Sequence, residues 1–190
     1  GELVKETGDW FAKIREITPS HFEFAFDAHA KIFEPYQAVQ LAAAIAPNDP
    51  LFYEEPIRPE HIPAWAELKS KVSVPLATGE SLYNRFEFLS LLSARGADII
   101  QPDIYWCGGL SETVKVAHLA SVHGVKLLSH CHNIHAALAV VASQSSTVCP
   151  FGEYLINYVP EKLHFIKDPP LTSNGLVQLP EKPGFGIELD

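Results

Sequence analysis

Short apolar runs alternate with longer amphipathic segments along most of the chain. The apolar runs are typical of buried strands, and the segments between them have the spacing of amphipathic helices. The predicted strands cover residues 21–26, 51–53, 72–78, 97–101 and 125–129, with a weaker sixth at 146–151. The predicted helices cover residues 3–17, 35–46, 58–71, 84–95, 111–123 and 133–143. From residue 160 onward the chain is rich in proline, and Asn174-Gly175 indicates a hairpin there.

One polar residue follows each predicted strand. These residues are Asp27, Glu54, Glu80, Asp103, His130 and Glu153, with spacings of 27, 26, 23, 27 and 23 positions. Strand and helix in strict alternation predict parallel βα units, and a (β/α) barrel averages about 31 residues a unit. A barrel gathers its strand ends at one mouth, whereas an open doubly wound sheet spreads them along an edge. We favour the α/β barrel.

Composition and charge narrow the functional classes. The 190 residues are 47% hydrophobic and 19% charged, which is typical of a globular protein. The net charge of −9 argues against nucleic-acid binding, which needs a basic face. The apolar runs are too short to span a membrane. Three cysteines are too few for a disulfide framework, so we expect a reducing, cytoplasmic setting.

The first three strand ends carry carboxylates, from Asp27, Glu54 and Glu80. Three carboxylates at one barrel mouth repel each other unless a cation lies between them. Ligands that are all oxygen favour a hard ion, and Mg²⁺ is the simplest choice. Each residue taken alone could instead cap a helix or lie on the rim. The set of three predicts a magnesium site.

The next strand ends carry candidate acid/base groups. Asp103 and His130 should be neighbours, and a carboxylate beside an imidazole fixes its tautomer and keeps it basic, although a purely structural pair is an equal alternative. His29 follows Asp27 by two positions, so both side chains point the same way if the strand continues. Glu153 is either an oxyanion-stabilising acid or a solvated rim charge.

A second hypothesis for a metal site is zinc binding by the stretch His130-Cys131-His132-Asn133-Ile134-His135. Only His130 lies at a predicted strand end, and His132 and His135 fall in the following loop and helix. We therefore favour the oxygen-only site over a transition-metal site.

Taken together, the strand-end motifs resemble those of the enolase superfamily, mandelate racemase/muconate lactonizing enzyme type. The segment TGESLYNRFEF followed by ADIIQPD, and the tail LPEKPGFGIELD, resemble the acid-sugar dehydratases of galactonate type, and the match runs from about Phe22 to the end. The motifs are Phe26-Asp27-Ala28-His29, Tyr53-Glu54-Glu55-Pro56, Ala77-Thr78-Gly79-Glu80, Gln101-Pro102-Asp103, Gly108-Gly109 and Ser129-His130.

The resemblance implies a TIM-like modified (β/α)7β barrel. Residues 1–159 would then form its C-terminal six βα units, units 3 to 8, and residues 160–190 a tail that packs toward an N-terminal α+β capping domain absent from this chain. Because six units cannot close a barrel, we expect the chain to be the C-terminal part of a longer protein that is not active without the rest.

The resemblance also implies roles for the strand-end residues. Mg²⁺ would be held by Asp27, Glu54 and Glu80. The α-proton of the substrate would be moved by the Asp103–His130 pair. The departing hydroxyl would be protonated by His29, and the enolised carboxylate would be assisted by Glu153.

The function so implied is Mg²⁺-dependent dehydration of a small-molecule sugar acid through a metal-stabilised enediolate, giving a 2-keto-3-deoxy acid. The protein would be a hydro-lyase and a homo-oligomer. A racemase or epimerase on the same scaffold and a non-catalytic ligand- or metal-binding barrel are the alternatives. The loops 131–135 and 105–107 depart from the family pattern, which leaves the identity of the sugar acid open.

Overall fold

A computed structural model describes residues 1–131 and 134–190. Its α-helices are α1 (Glu2–Ile17), α2 (Pro35–Ile45), α3 (Ile62–Lys69), α4 (Asn84–Ser93), α5 (Ile104–Cys107), α6 (Leu110–His123), α7 (Ile134–Ser143) and α8 (Val159–Lys162). Its strands are β1 (Phe26–Asp27), β2 (Tyr53–Glu54), β3 (Leu76–Thr78), β4 (Ile99–Ile100), β5 (Lys126–Leu127), β6 (Thr172–Ser173) and β7 (Leu176–Val177). Short 3-10 turns cover Ala46–Asn48 and Ile156–Tyr158.

Five strands form one parallel sheet in the order β1-β2-β3-β4-β5. This order confirms the predicted succession of βα units, because each strand pairs with the next one along the chain. The strands are shorter than the predicted runs. In the run 72–78, for example, Pro75 has no N–H to donate, and β3 begins only at Leu76.

Both faces of the sheet are buried. Tyr53, Leu76 and Ile100 belong to the main core together with Trp65 and Phe88 of the surrounding helices. The opposite face carries a smaller cluster, made of Phe52, Ala77, Ile99 and Leu128. A parallel sheet that is apolar on both faces is typical of α/β proteins.

The sixth predicted strand is wrong. Residues 146–151 carry no strand, although the backbone N–H of Leu127 donates to the carbonyl of Val148 at 2.8 Å. Pro150 removes a donor from this segment, which limits pairing to that contact. The helix predicted at 58–71 is also shorter, since Pro63 lies in its first turn and α3 starts at Ile62.

One further feature, the short helix after β4, bears on the site. The α5 helix was not predicted; the side chain of Asp103 caps it by accepting from the N–H groups of Tyr105 and Trp106.

The hairpin predicted at Asn174-Gly175 is confirmed by the antiparallel pairing of β6 with β7. The division of the chain at residues 159 and 160, with a tail directed toward a capping domain, stays a prediction. Within the described ranges no helix is long and apolar enough to cross a membrane.

Candidate active site at the strand ends

Strand register brings the predicted site residues together in pairs. Asp27 of β1 lies directly beside Glu54 of β2, as predicted from their positions at successive strand ends. Beyond β4 and β5, Asp103 and His130 form a parallel bridge with each other. The carboxyl ends of β1, β2, β4 and β5 therefore carry three carboxylates and one imidazole on the same edge of the sheet.

Asp103 and His130 form a close pair. Nδ1 of His130 lies 2.8 Å from Oδ2 of Asp103, which is fully buried. The other oxygen of Asp103 accepts from the backbone N–H of Tyr105 at 2.7 Å, so the carboxylate is fixed on both sides. Nε2 of His130 lies 3.4 Å from Oε2 of Glu80. An imidazole held in this way by Nδ1 presents Nε2 to the mouth of the site.

The surroundings of His130 make it a stronger base. Burial by itself lowers the pKa of His130, because it disfavours the charged imidazolium. The hydrogen bond to Asp103 and the negative charges of Glu153 and Glu80 act in the opposite direction and prevail, so the pKa is raised above its usual value. The pair therefore has the properties required of a general base.

Glu54 is the buried member of the predicted ligand set. Burial raises its pKa to about 8, a hydrogen bond from the side chain of Gln101 opposes this rise, and the charges of Asp27, Glu153 and Glu80 add to it. The carboxylates therefore lie close enough to repel each other, as expected for a site that a cation would complete.

Glu55 is a buried acid that the sequence reasoning treated only as the neighbour of Glu54. One of its oxygens, Oε1, accepts from the hydroxyl of Thr78 and from the backbone N–H of Gly79 at 2.9 Å. Its other oxygen, Oε2, has no hydrogen-bond partner among the described residues, and burial raises the pKa of Glu55 to about 7. The sequence offered one indication of these hydrogen bonds between the ends of β2 and β3, namely two acidic residues in succession at a buried strand end.

His29 reaches Asp27 by a different route from the one predicted. β1 ends at Asp27, so the strand does not continue to His29, and the backbone of His29 turns to a φ of 49°. The turn nevertheless places Nε2 of His29 2.9 Å from Oδ2 of Asp27, and the N–H of His29 donates to Oδ1 at 2.7 Å. With its side chain 62% exposed, the imidazole is open to the mouth.

Glu153 also joins the site, although its segment is not a strand. Its Oε2 accepts from the backbone N–H of Cys131 at 2.7 Å, directly after His130. The charge of Glu153 acts on both Glu54 and His130. The oxyanion role predicted for Glu153 stays a prediction.

Whether these residues suit Mg²⁺ can be judged from the donor set. In the part of the chain that the structure describes, no three side chains of His, Cys, Asp or Glu are close enough to hold one ion together. The donors are nevertheless all carboxylates, and Glu54 is buried among like charges. A hard divalent cation would relieve that repulsion, so the residue types and their electrostatics fit Mg²⁺.

The zinc alternative for residues 130–135 stays a prediction. His135 is buried on α7 beside a small cavity lined also by Leu163 and Ile166, and burial lowers its pKa. His132 and Asn133, which were part of that prediction, lie outside the described residues.

Comparisons with known proteins agree with the strand-end motifs. Residues 3–190 match the family model described as "Enolase C-terminal domain-like". The chain is 33% identical to a D-galactonate dehydratase of Ralstonia nicotianae, covering 94% of this chain and 49% of that protein. It is also 33% identical to an L-rhamnonate dehydratase of Saccharopolyspora erythraea, covering 94% and 47%. The chain thus spans about half the length of these relatives.

Solved structures of an enolase and a racemase have the same fold as this chain. An enolase from Agrobacterium radiobacter, crystallised with sodium and L-malate, is 42% identical with a TM-score of 0.87, covering 100% of this chain and 52% of that one. A racemase from Streptomyces coelicolor A3(2) with bound magnesium is 27% identical with a TM-score of 0.89, covering 98% and 50%.

Proposed function

The chain belongs to the enolase C-terminal domain-like family, and we propose that it carries the catalytic centre of a Mg²⁺-dependent sugar-acid dehydratase. The observation that carries the proposal is the His130–Asp103 pair, with Nδ1 tied to Asp103 and Nε2 near Glu80. This geometry presents a raised-pKa base to the edge where the carboxylates meet. The expected product is a 2-keto-3-deoxy acid.

In the proposed reaction His130 takes the proton on the carbon next to the substrate carboxylate. Asp103 accepts the Nδ1–H, so the lone pair of the imidazole lies on Nε2, the atom that receives the proton, and the charge of Asp103 then stabilises the imidazolium. The proton moves from carbon to Nε2 as the carbon–hydrogen bond breaks. Asp27, Glu54 and Glu80 would hold Mg²⁺. When bound, the ion supplies positive charge at the substrate carboxylate, which makes the neighbouring proton more acidic.

The second half of the reaction needs an acid. The β-hydroxyl leaves as water when it receives a proton, and His29 is the exposed imidazole beside Asp27 that can supply one. The enol that remains becomes the 2-keto acid. Glu153, anchored at the N–H of Cys131, would assist the substrate carboxylate as a neutral acid, which can donate a hydrogen bond to the negative charge that develops there.

A screen of a sugar-acid library tests the proposal. The intact protein is incubated with Mg²⁺ and each acid, and formation of a 2-keto acid is measured. At least one aldonate or aldarate should give product, and His29→Asn should abolish it. Absence of product with every acid, or full dehydratase activity in His29→Asn, would contradict the proposal.

Racemisation or epimerisation is the second candidate, because a racemase is among the similar structures. That reaction removes and returns the α-proton without loss of a hydroxyl. A His29→Asn variant that keeps proton exchange but forms no keto acid assigns dehydration to His29. If the unaltered protein exchanges the proton and never releases water, the protein is an epimerase or racemase.

A further inference from the structure

A small cavity lies between the start of α7, the α5 segment and the C-terminal tail. Its volume is about 190 Å³, far above the roughly 10–15 Å³ that one water requires. Four of its seven lining residues are apolar, and the polar side chains on it are those of Tyr105, His135 and Lys162. None of the six strand-end residues lines this cavity, and neither does His29. It is therefore a separate feature that needs its own explanation.

The ammonium of Lys162 is the unusual group on this wall. Its Nζ is buried and has no hydrogen-bond partner among the described residues. A cation–π contact with the ring of Tyr158, with Nζ 5.3 Å from the ring centroid, offsets part of the cost of burying this charge. A buried ammonium without a partner is costly, because it has lost its hydration and gained little in return. Such a group in a native protein needs an explanation, and a bound anion or water supplies one.

Charge around the cavity favours an anion. Burial lowers the pKa of His135, so its imidazole is neutral near pH 7, and Lys162 is the formal positive charge among the lining residues. The phenol of Tyr105 can donate a further hydrogen bond. A cation with a neutral hydrogen-bond donor beside it is suited to one small oxyanion.

The cavity also lies near the proposed base. Tyr105 follows Asp103 by two residues, and Ile134 follows His130 by four. The charge of Lys162 is felt at the thiol of Cys131, the residue directly after His130. The cavity is therefore lined in part by the segments that follow Asp103 and His130.

We propose that this cavity is an anion-binding subsite in which Lys162 receives a carboxylate-sized oxyanion. The source is either the distal carboxylate of a sugar diacid, whose reacting carboxylate is bound at the strand ends, or a free anion. The first source rests on the proposed function, since it requires a sugar-acid substrate. The subsite itself does not.

Binding of two matched acids to Lys162→Met separates the sources. Galactarate and galactonate share their carbon number and hydroxyl configuration, and they differ in charge at one end. With Mg²⁺ present, the variant should bind galactarate about 10- to 100-fold more weakly than the unaltered protein, because a charge-assisted hydrogen bond is lost. Its affinity for galactonate should stay within about twofold. Lys162→Arg should restore most of the loss.

Lys167→Met is the matched control. Lys167 is an exposed tail lysine paired with Glu188 at 3.2 Å, so its removal changes the net charge equally without touching the cavity. It should bind both acids as the unaltered protein does. In a second arm, inorganic phosphate replaces the sugar acids. Thermal stabilisation by phosphate that disappears in Lys162→Met identifies a free anion as the ligand.

The unaltered protein gives an independent readout should Lys162→Met fail to fold. Galactarate or phosphate should shift the NMR signal of the ¹⁵N-labelled Lys162 ammonium, and galactonate should not. The proposal is overturned if neither anion shifts this signal, or if the variant binds all three probes as the unaltered protein does. Failure of the proposed function is distinguishable, because it shows as lack of turnover while these binding arms still report on the cavity.

Discussion

At the scale of single residues, Glu54 lies where a carboxylate is disfavoured. Its side chain is buried, and burial together with the charges of Asp27, Glu153 and Glu80 raises its pKa to about 8. In the folded, metal-free protein Glu54 therefore keeps its proton to a higher pH than in the unfolded chain. Its contribution to stability is present below about pH 4.5 and is lost as the pH rises to about 8.

Glu54→Gln should remove this pH dependence. In chelator-treated protein at pH 8 the variant should be more stable than the original by up to about 4 kcal/mol, since one pKa unit corresponds to about 1.4 kcal/mol. Urea unfolding at several pH values measures the difference. Glu60→Gln is the control, because Glu60 is an exposed glutamate on the loop before α3. Equal pH profiles for Glu54→Gln and the unaltered protein would contradict the electrostatic account.

The same variant should bind Mg²⁺ at least about tenfold more weakly, because a neutral amide replaces a charged ligand. Isothermal titration calorimetry measures this directly. The opposite effects on metal-free stability and on metal affinity form the signature of a ligand. An unchanged Mg²⁺ affinity would exclude Glu54 from the metal site.

Asp103→Asn should weaken the base. The pKa of His130 is raised despite burial because Asp103 accepts its Nδ1–H and because Glu153 and Glu80 are negative. Removing the charge of Asp103 should lower that pKa. Since the base must be neutral to act, the acid limb of kcat/KM should move to lower pH, and kcat should fall about a hundredfold or more. An acid limb that stays in place would show that Asp103 does not tune His130.

At the scale of elements, the loop after β3 depends on a glycine. Gly79 has a φ of +131°, and a Cβ there would lie 2.8 Å from the ring of Phe88 and 3.1 Å from the backbone nitrogen of Gln101. The N–H of Gly79 also donates to Glu55. This one residue therefore joins the ends of β2 and β3 beneath the site.

Gly79→Ala should cost about 2–3 kcal/mol in the free energy of unfolding, from backbone strain together with overpacking. Gly124→Ala is the matched control. Gly124 ends α6 with a φ of +68° and has open space around its missing Cβ, so only about 1 kcal/mol is expected. Denaturant unfolding of both variants measures the difference. Equal losses would mean that the close contacts at Gly79 do not matter.

Sequence reasoning predicted elements where a local signal was strong. Gly124 ended a helix as expected, and the apolar runs located all five strands of the sheet. The sixth strand failed because its pairing depends on long-range contacts that Pro150 limits. The α5 helix was missed because it is only four residues long and depends on the cap from Asp103.

Part of the site could be predicted from the sequence, and part of it could not. Strand-end positions identified the pairing of Asp103 with His130, which the register confirms. The contact of His29 with Asp27 arises from a turn at positive φ, which strand parity does not predict. Glu55 and Lys162 were missed, because burial of a charged group is a property of the folded chain and not of the local sequence.

At the scale of the whole molecule, the resemblance to the enolase superfamily is confirmed by the family match over residues 3–190. The similar structures also confirm the α/β barrel class. The chain carries a net charge of −9, yet its proposed substrate is an anion. A divalent cation among the carboxylates reverses the local field, which makes anion binding compatible with an acidic protein. Assembly into a homo-oligomer stays a prediction.

Whether His130 removes the α-proton of the substrate can be tested by following that hydrogen. A sugar acid found in the library screen is labelled with deuterium at the α-carbon, and release of the label to solvent is measured by NMR for the intact protein and for His130→Asn. We expect release that requires both Mg²⁺ and His130, with Mg²⁺ affinity unchanged in the variant. Release by His130→Asn at the original rate would contradict this expectation.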